Sequence, residues 1–280
     1  MIDNRQTQQT AARALTFHGL HVPGKPLLLA NAWDAGSALL IESCGAAALA
    51  TTSAGLAWAH GYPDGDVLPP AVLATAVAEI IRVVSVPLSV DAEGGYSDDP
   101  RVVGENVQAI IDAGGIGINI EDGSSPPDLL VAKIEAARSA AAAAGVNLFI
   151  NARTDVYLRG LVPAEAAVDE AVAREARYRE AGASGIFVAG VADPDAIRAI
   201  AAAVKLPLNV LVVPGLPTVA ALGELGVARV SAGSGIAQGA AGLVKRLATE
   251  FLAERRFDSM LEKTLDYSQL NTLYGTRRGS

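Results

Sequence analysis

Two acidic residues follow one short apolar segment, and their spacing suggests that their side chains lie close together. Residues 88–90 are too few for a helix, and Asp91, Glu93 and then two glycines come directly after them. Residues two apart on a strand point to the same side. Two carboxylates held in this way repel each other unless a cation or a shared proton lies between them. The pair therefore predicts either a metal site or a carboxylate pair that shares a proton.

A third carboxylate favours the metal. Glu121 follows another short apolar segment, residues 116–120. Carboxylate oxygens at strand ends suit Mg2+, with Mn2+ as the alternative, because such a cation accepts one or two protein carboxylates and keeps several waters. The three histidines and single cysteine do not form the clusters typical of zinc or iron sites. Asp91, Glu93 and Glu121 are therefore predicted metal ligands; the alternative is that they only cap helices or pair with Arg153.

Other polar residues could bind an anionic substrate beside this metal. The planar guanidinium of Arg153, which follows a strand, suits a carboxylate or phosphate, although a structural ion pair with Glu121 or Asp155 is the alternative. Asp64 lies in a turn-rich loop that could fold over the metal, and turn chemistry alone would also explain it. One strand end offers hydroxyl and backbone N–H groups to an anionic oxygen, a pattern that is also ordinary at a strand-to-loop junction. Its residues are Thr52, Ser53, Ala54 and Gly55.

Together these groups predict a site for a small oxo-acid bound to magnesium. A metal bound to a 2-oxo carboxylate acts as a Lewis acid and stabilises an enolate. Enolate stabilisation serves carbon–carbon cleavage, decarboxylation and phosphorus–carbon bond chemistry alike. The shared residues therefore cannot select one of these reactions.

The elements that would position these residues alternate regularly along the chain. Eight short apolar segments are each followed by an alanine-rich helical pattern, as expected for parallel strands buried on both faces. The simplest closed arrangement is a (β/α)8 TIM barrel, which needs ~250 residues and places active sites at the carboxyl ends of its strands. An open doubly wound sheet is the alternative. The segments are residues 27–30, 47–51, 87–90, 116–120, 148–152, 184–188, 208–212 and 228–231.

A single domain is predicted over residues 1–280, with a leading helix in residues 1–20 and a helical extension in residues 235–280. The net charge is -8 and no basic stripe is present, which argues against a nucleic-acid partner. No apolar segment reaches the ~18 residues of a membrane span, and residues 1–10 lack an apolar signal core. One cysteine, Cys44, forms no disulfide framework and is expected to face the core. These features predict a cytoplasmic protein without a membrane partner.

Several motifs, in order along the barrel, resemble the isocitrate lyase/phosphoenolpyruvate mutase superfamily. They are Asn31-Ala32, Thr52-Ser53-Ala54-Gly55, Tyr62-Pro63-Asp64, Val90-Asp91-Ala92-Glu93-Gly94-Gly95-Tyr96, Ile118-Asn119-Ile120-Glu121-Asp122, Asn151-Ala152-Arg153-Thr154-Asp155 and residues 182–187. The resemblance implies a magnesium ion held mostly through water by Asp64, Asp91, Glu93 and Glu121. It implies that Ser53, Ala54, Gly55 and Arg153 surround the substrate carboxylate, with Asn209 nearby. It also implies a homotetramer, or a dimer, whose C-terminal helices exchange between subunits.

The departures from this family limit the reaction. The lyase branch carries a Lys-Lys/Arg-Cys-Gly-His lid after the fourth strand, whereas here residues 123–128 read Gly-Ser-Ser-Pro-Pro-Asp. The mutase lid residues, Lys and Asn, are also absent, Ala189 and Gly190 replace a glutamate of methylisocitrate lyases, and Glu93 replaces an aspartate. Without the lid, the chain lacks the general acid or base that a reversible aldol-type cleavage requires. Isocitrate and methylisocitrate lyase activities are therefore not expected.

The favoured function is a magnesium-dependent lyase acting on a small 2-oxo or 2-hydroxy carboxylate, with decarboxylation of an oxaloacetate-like substrate as the specific case. Phosphonopyruvate or phosphoenolpyruvate chemistry and hydrolysis of a 2-oxo diacid are the enzymatic alternatives. A protein that binds a 2-oxo acid such as 2-oxoglutarate with little turnover is the non-enzymatic one. Tyr96, His60 or a water could supply the proton, and nothing in the sequence selects among them. The predicted catalytic residues are Arg153, Asp64 and Tyr96, and the predicted substrate-binding residues are Thr52, Ser53, Ala54, Gly55, Asp91, Arg153 and Asn209.

Overall fold

A closed ring of parallel strands forms the centre of the protein. The computed structural model describes residues 4–262 and 264–275. The strand order is β1-β9-β8-β7-β6-β5-β4-β3-β2, and every pairing is parallel. The strands are β1 (Leu27–Leu29), β2 (Asn31–Ala32), β3 (Leu49–Thr51), β4 (Leu88–Asp91), β5 (Gly117–Glu121), β6 (Phe149–Thr154), β7 (Gly185–Val188), β8 (Leu208–Leu211) and β9 (Arg229–Ser231).

The first two strands close the ring because they are consecutive parts of one extended segment. Only Ala30 separates β1 from β2; β1 pairs with β9, whereas β2 pairs with β3. The predicted (β/α)8 barrel is confirmed, and the open doubly wound sheet is wrong. Residues such as Ile118, Ile150 and Val210 are fully buried, as expected for strands enclosed by a barrel interior and a ring of helices.

The helices surround the barrel and follow its strands, as the alternation of apolar segments and helical patterns predicted. They are α1 (Asn4–Gly19), α2 (Ala35–Ser43), α3 (Ser53–Ala59), α4 (Pro70–Val83), α5 (Pro100–Asp112), α6 (Pro127–Ala143), α7 (Ala167–Glu180), α8 (Pro194–Ala203), α9 (Val219–Glu224), α10 (Gly235–Leu252) and α11 (Tyr267–Gly275). Proline occupies the first turn of α4, α5, α6 and α8, where its missing N–H removes no helical hydrogen bond. Asp34, Asp99 and Asp193 cap their helices by accepting hydrogen bonds from backbone N–H groups.

Two local predictions were wrong. Thr52 to Gly55 were expected at a strand end or a strand-to-loop junction, but α3 begins at Ser53, and Thr52 caps this helix through its side chain. Cys44 was expected to face the core, but it is exposed. The reason is its position after the last turn of α2, where its backbone N–H donates to the carbonyls of Glu42 and Ile41.

Helix α1 covers the amino-terminal end of the barrel. Phe17 is fully buried and meets Phe149 of β6 edge to face, with ring centroids 5.3 Å apart. His21, just after the helix, stacks on Phe149 at 4.0 Å and donates from Nδ1 to the Phe17 carbonyl over 2.8 Å. The leading helix therefore closes the end of the barrel opposite the strand ends that carry the predicted site.

The C-terminal extension begins with α10 and contains a short 3-10 helix (Asp258–Leu261) before α11. It is anchored to the barrel where the Tyr274 hydroxyl donates to the Gly36 carbonyl over 3.1 Å. Exchange of this extension between subunits stays a prediction, and residues 276–280 lie outside the described residues. Among the described helices, none is both long enough and apolar enough to cross a bilayer.

Candidate active site at the carboxyl ends of the strands

A small cavity of about 180 Å3 opens at the carboxyl ends of the barrel strands. Within the described part of the chain, the titratable residues that line it are Asp64, Asp91 and Arg153. The remaining lining residues are Asn31, Thr52, Ser53, Ala54, Asn119, Phe187, Leu211, Ser231, Gly233 and Ser234. Strand ends from β2 around to β9 contribute to this wall, which is the place that a barrel provides for an active site.

Asp91 ends β4 and presents a half-buried carboxylate to the cavity. Its backbone N–H donates to Thr51 Oγ1 over 2.8 Å, and its Oδ2 accepts from the Ser53 backbone N–H over 3.3 Å. Burial raises the pKa of Asp91, the positive charge of Arg153 opposes the rise, and the negative charge of Asp64 adds to it. An additional cation next to Asp91 would therefore be bound favourably.

Arg153 lines the cavity and also forms both ion pairs that the sequence allowed. Its Nε and Nη2 donate to the two carboxylate oxygens of Asp155 over 2.7 and 3.1 Å, and its Nη1 contacts Glu121 Oε2. Its guanidinium carbon lies 5.9 Å from the centre of the Phe187 ring. The charge of Arg153 is thus shared between two carboxylates before any ligand arrives. Burial raises the pKa of Glu121 to about 8 even though Arg153 opposes this shift.

Glu93 does not continue the strand that carries Asp91. Strand β4 ends at Asp91, and Glu93 has a left-handed backbone with φ of 49°. The strand alternation used to align the two side chains therefore does not apply to Glu93. Its Oε2 accepts from the backbone N–H of Gly65 over 2.9 Å and from that of Asp66, and its Oε1 accepts from the Tyr96 hydroxyl over 3.1 Å.

The contact between these two loops is reciprocal. The Asp66 carboxylate accepts from the backbone N–H groups of Gly94 and Tyr96 over 3.1 and 3.0 Å. We call the pairing of Gly65–Asp66 with Glu93–Tyr96 the clasp. Asp66, Glu93 and Tyr96 all have positive φ, a strained conformation for residues other than glycine. The clasp fixes the loop that carries Asp64 to the cavity.

The other predicted residues occupy different positions around the cavity. Thr52, Ser53 and Ala54 line it, whereas Gly55 lies against α10, where a Cβ atom would come within 3.0 Å of Ala237. Asn209 is buried below the cavity, and its Oδ1 accepts from Ser231 Oγ over 3.2 Å. Burial raises the pKa of Tyr96, and the negative charge of Glu93 adds to this effect, so the phenol keeps its proton.

Several candidate groups were missed or did not reach the cavity. Ser231 ends β9, and Gly233 and Ser234 follow it, where the rule applied to the other strand ends would have found them. Arg229 was also missed, although an arginine between apolar residues of a strand was a visible signal. His60 is exposed and contacts the Leu56 carbonyl through Nδ1 over 2.9 Å. As predicted, α6 begins soon after β5, with residues 122–126 between them.

The carboxylates do not form a complete metal site by themselves. Among the described residues, no group of three or more His, Cys, Asp or Glu side chains converges closely enough to hold a metal ion. The assignment of Asp91, Glu93 and Glu121 as metal ligands therefore stays a prediction. Asp91 and Asp64 are the two carboxylates that line the cavity.

Comparisons with known proteins agree with the motifs. The family described as phosphoenolpyruvate phosphomutase matches residues 17–252. An uncharacterized Mycobacterium tuberculosis protein is 40% identical over 79% of this chain and 82% of its own length. Escherichia coli 2-methylisocitrate lyase is 30% identical over 68% of this chain and 69% of its own. Oxaloacetate decarboxylase of Rhodopseudomonas palustris is 31% identical over 53% and 52%, respectively.

A solved structure supports the same relationship. The crystal structure of a proposed phosphonomutase from Burkholderia cenocepacia J2315 superposes with a TM-score of 0.82 at 40% identity, over 86% of this chain and 99% of that one. Because the family match spans most of the barrel and relatives at this level of identity cover most of their own length, the chain belongs to the isocitrate lyase/phosphoenolpyruvate mutase superfamily of lyases and mutases.

Proposed function

We propose that this barrel is a magnesium-dependent lyase that decarboxylates a small 2-oxo dicarboxylate of the oxaloacetate type. The observation that carries the proposal is the cavity at the strand ends, where the carboxylates of Asp91 and Asp64 and the guanidinium of Arg153 share one small space. Carboxylates beside a guanidinium suit a divalent cation and an anionic substrate bound together.

The size of the cavity restricts the substrate. Its volume is about 180 Å3. Cavities for drug-sized ligands are typically ~300–1,000 Å3. A four-carbon diacid is thus in the appropriate range, whereas a large cofactor or a polymer is not.

The donor set fits a hydrated magnesium ion, with manganese as the alternative. Burial raises the pKa values of Asp91, Glu93 and Glu121, and neighbouring carboxylates raise them further, as expected where negative charges exceed positive ones. Magnesium needs only one or two protein carboxylates and keeps several waters. Asp91 and Asp64 would hold it directly or through water, with Glu93 and Glu121 behind them. When bound, the cation would act as a Lewis acid towards the oxygens of a 2-oxo acid.

The residues of the chain itself would bind and orient the substrate. Arg153 would donate to a substrate carboxylate from the second N–H of Nη1 or Nη2, because its ion pairs use one N–H of each of these nitrogens. Ser53 and Asn119 offer further hydrogen bonds from the wall. Phe187 and Leu211 would exclude water from one side of the cavity. Together these contacts would hold a 2-oxo acid in one orientation.

If Asp64 and Asp91 hold the metal, no other carboxylate among the described lining residues is left to act as a base, which favours decarboxylation over aldol-type cleavage. The titratable cavity residues among the described ones are two aspartates and one arginine. Aldol-type cleavage needs a base for a hydroxyl proton and an acid for the product. Decarboxylation needs only that the electron pair left by CO2 be stabilised and then protonated, which solvent can do. The oxaloacetate decarboxylase relative points to the same reaction, although it matches only about half of this chain.

Turnover of a substrate panel tests this proposal. We expect Mg2+-dependent release of CO2 from oxaloacetate and little or no turnover of methylisocitrate or phosphonopyruvate. Asp91→Asn should lower the activity by about 100-fold or more while the protein stays folded. Metal-independent turnover would contradict the mechanism. Tight binding of a 2-oxo acid with no turnover of any compound would instead identify a binding protein, and turnover of phosphonopyruvate or hydrolysis of oxaloacetate would assign the alternative enzymatic reactions.

A further inference from the structure

Arg229, at the start of β9, is a fully buried arginine directly below the cavity. Its Nε donates to Ser231 Oγ over 3.1 Å, and its Nη2 donates to Asn119 Oδ1 over 3.2 Å. Ser231 and Asn119 both line the cavity, and we call these two residues the floor of the cavity. Arg229 Nη1 has no hydrogen-bond partner among the described residues. No carboxylate among them lies within ion-pair distance of Arg229.

Such a buried charge is unfavourable unless something compensates it. Burial lowers the pKa of Arg229 to about 9, and the negative charge of Asp91 only partly opposes this shift. Arg153 differs in this respect, because it contacts the carboxyl groups of Asp155 and Glu121. Arg229 is therefore the cation near the cavity whose charge is not balanced by a contacting carboxylate.

The structure around Arg229 does not require a positive charge. Asn119 Oδ1 also accepts from Asn151 Nδ2 over 2.9 Å, and Ser231 Oγ also donates to Asn209 Oδ1 over 3.2 Å. An apolar side chain of similar length at position 229 would leave each of these groups with a partner. Replacing buried charges by apolar groups is often neutral or stabilising. Its role in the packing thus does not explain why this position is an arginine.

We propose that Arg229 is a positioning residue that makes the cavity selective for ligands with two anionic groups. The inference rests on the proposed function, since it takes a 2-oxo acid as the ligand. One carboxylate would be bound by Arg153, and the distal anionic group would lie over the floor of the cavity. Arg229 would hold the Asn119 amide with its oxygen turned away, so that Nδ2 donates to this group. The charge of Arg229 acts on this anionic group across the floor of the cavity, where screening by water is weak.

The test compares two ligands that differ only in their distal group. Oxaloacetate and 2-oxobutyrate share a four-carbon 2-oxo acid skeleton, but one ends in a carboxylate and the other in a methyl group. Because oxaloacetate is consumed under the proposed function, the wild type, Arg229→Met, Arg229→Gln and Arg229→Lys would be compared with Mg2+ by the Michaelis constant for oxaloacetate and by the inhibition constant of 2-oxobutyrate against it. We expect the wild type to prefer oxaloacetate and both neutral variants to lose about tenfold or more of this preference. Arg229→Lys should recover part of it.

Arg138→Met is the matched control. Arg138 of α6 is partly buried and donates to the carbonyls of Gly182 and Leu148, away from the cavity. This control should lower the melting temperature but keep the ligand preference, whereas Arg229→Met should keep or raise the melting temperature and lose the preference. An unchanged preference in both neutral variants, or equal weakening of both ligands, would overturn the inference. If the wild type binds neither ligand, the proposed function fails, and the inference fails with it.

Discussion

At the scale of single residues, the acids of this site serve two purposes. Asp91 faces the cavity, whereas Glu93 accepts hydrogen bonds from a neighbouring loop. The family resemblance implies that Glu93 acts through its charge on the metal. The clasp suggests that Glu93 also acts through its length, because its Oε2 reaches the backbone of Gly65 and Asp66. Length and charge can be varied separately, which makes the two roles distinguishable.

Glu93→Asp keeps the charge but shortens the side chain, whereas Glu93→Gln keeps the length and an acceptor oxygen. If Glu93 anchors the Asp64 loop, Glu93→Asp should destabilise the protein by about 1–3 kcal/mol, because the N–H groups of Gly65 and Asp66 lose a charged acceptor. Amide hydrogen exchange in residues 61–67 should also become faster in this variant, and Glu93→Gln should resemble the wild type in both measurements. The opposite order, with Glu93→Gln losing Mg2+ affinity and Glu93→Asp unaffected, would assign Glu93 to the metal instead.

At the scale of secondary-structure elements, the sequence predicted those features that depend on neighbours in the chain. The prolines that begin α4, α5, α6 and α8 are signals of this kind, because a fixed φ and a missing N–H act locally. Helix α3 was missed because Thr52 and Gly55 look like a turn until Gly55 is seen packing against α10. Local sequence does not predict how elements that are far apart in the chain pack against each other.

The residues of the candidate site show the same difference between features set by local sequence and features set by distant contacts. The rule that polar residues collect at the carboxyl ends of barrel strands brought Ser53, Asp91 and Arg153 to one cavity. The rule could not show that the backbone turns at Glu93, because the conformation there depends on contacts with the loop that contains Gly65 and Asp66. It also could not show which face of β9 carries Arg229. That choice depends on the closure of the ring through β1 and β9.

The contact of α1 with the barrel should depend on pH through His21. Burial lowers the pKa of His21 to about 3, and the charge of Arg229 adds to this effect. The unfolded chain, with a histidine pKa near 6.5, binds the proton more readily than the folded one. The stability contributed by neutral His21 is therefore complete above pH ~6.5 and is lost at ~1.4 kcal/mol per pH unit as the pH falls towards 3.

His21→Asn keeps a donor for the Phe17 carbonyl and removes the titrating ring. The difference in the free energy of unfolding between the wild type and this variant, from urea denaturation at several pH values, should shrink as the pH falls below ~6.5. Using the difference removes the contributions of other groups, including His18, whose pKa burial also lowers. A difference that does not vary between pH 7 and pH 4 would show that His21 is not buried in this way.

At the scale of the whole molecule, the C-terminal extension leaves a large apolar surface uncovered. Val244 and Leu252 of α10 are 66% and 69% exposed, and Leu261 is 75% exposed. A groove of about 910 Å3 lies between this extension and α2, with Leu40, Leu243 and Leu270 among its lining residues. Contiguous apolar surface of this kind marks an interaction site. We propose that a second copy of the chain covers it, as the family resemblance implies.

Sedimentation equilibrium of the chain with its C-terminal extension intact tests this assembly. The wild type should have the mass of two or four chains, because burying the apolar face of α10 against another subunit removes it from water. Val244→Asp combined with Leu252→Asp would place charges in that interface and should give smaller species. Leu15→Asp, at a position of α1 that is 64% exposed, is the matched control and should leave the mass unchanged. A monomeric wild type would remove the proposal, and loss of assembly only in the α10 variant would locate the interface on that helix.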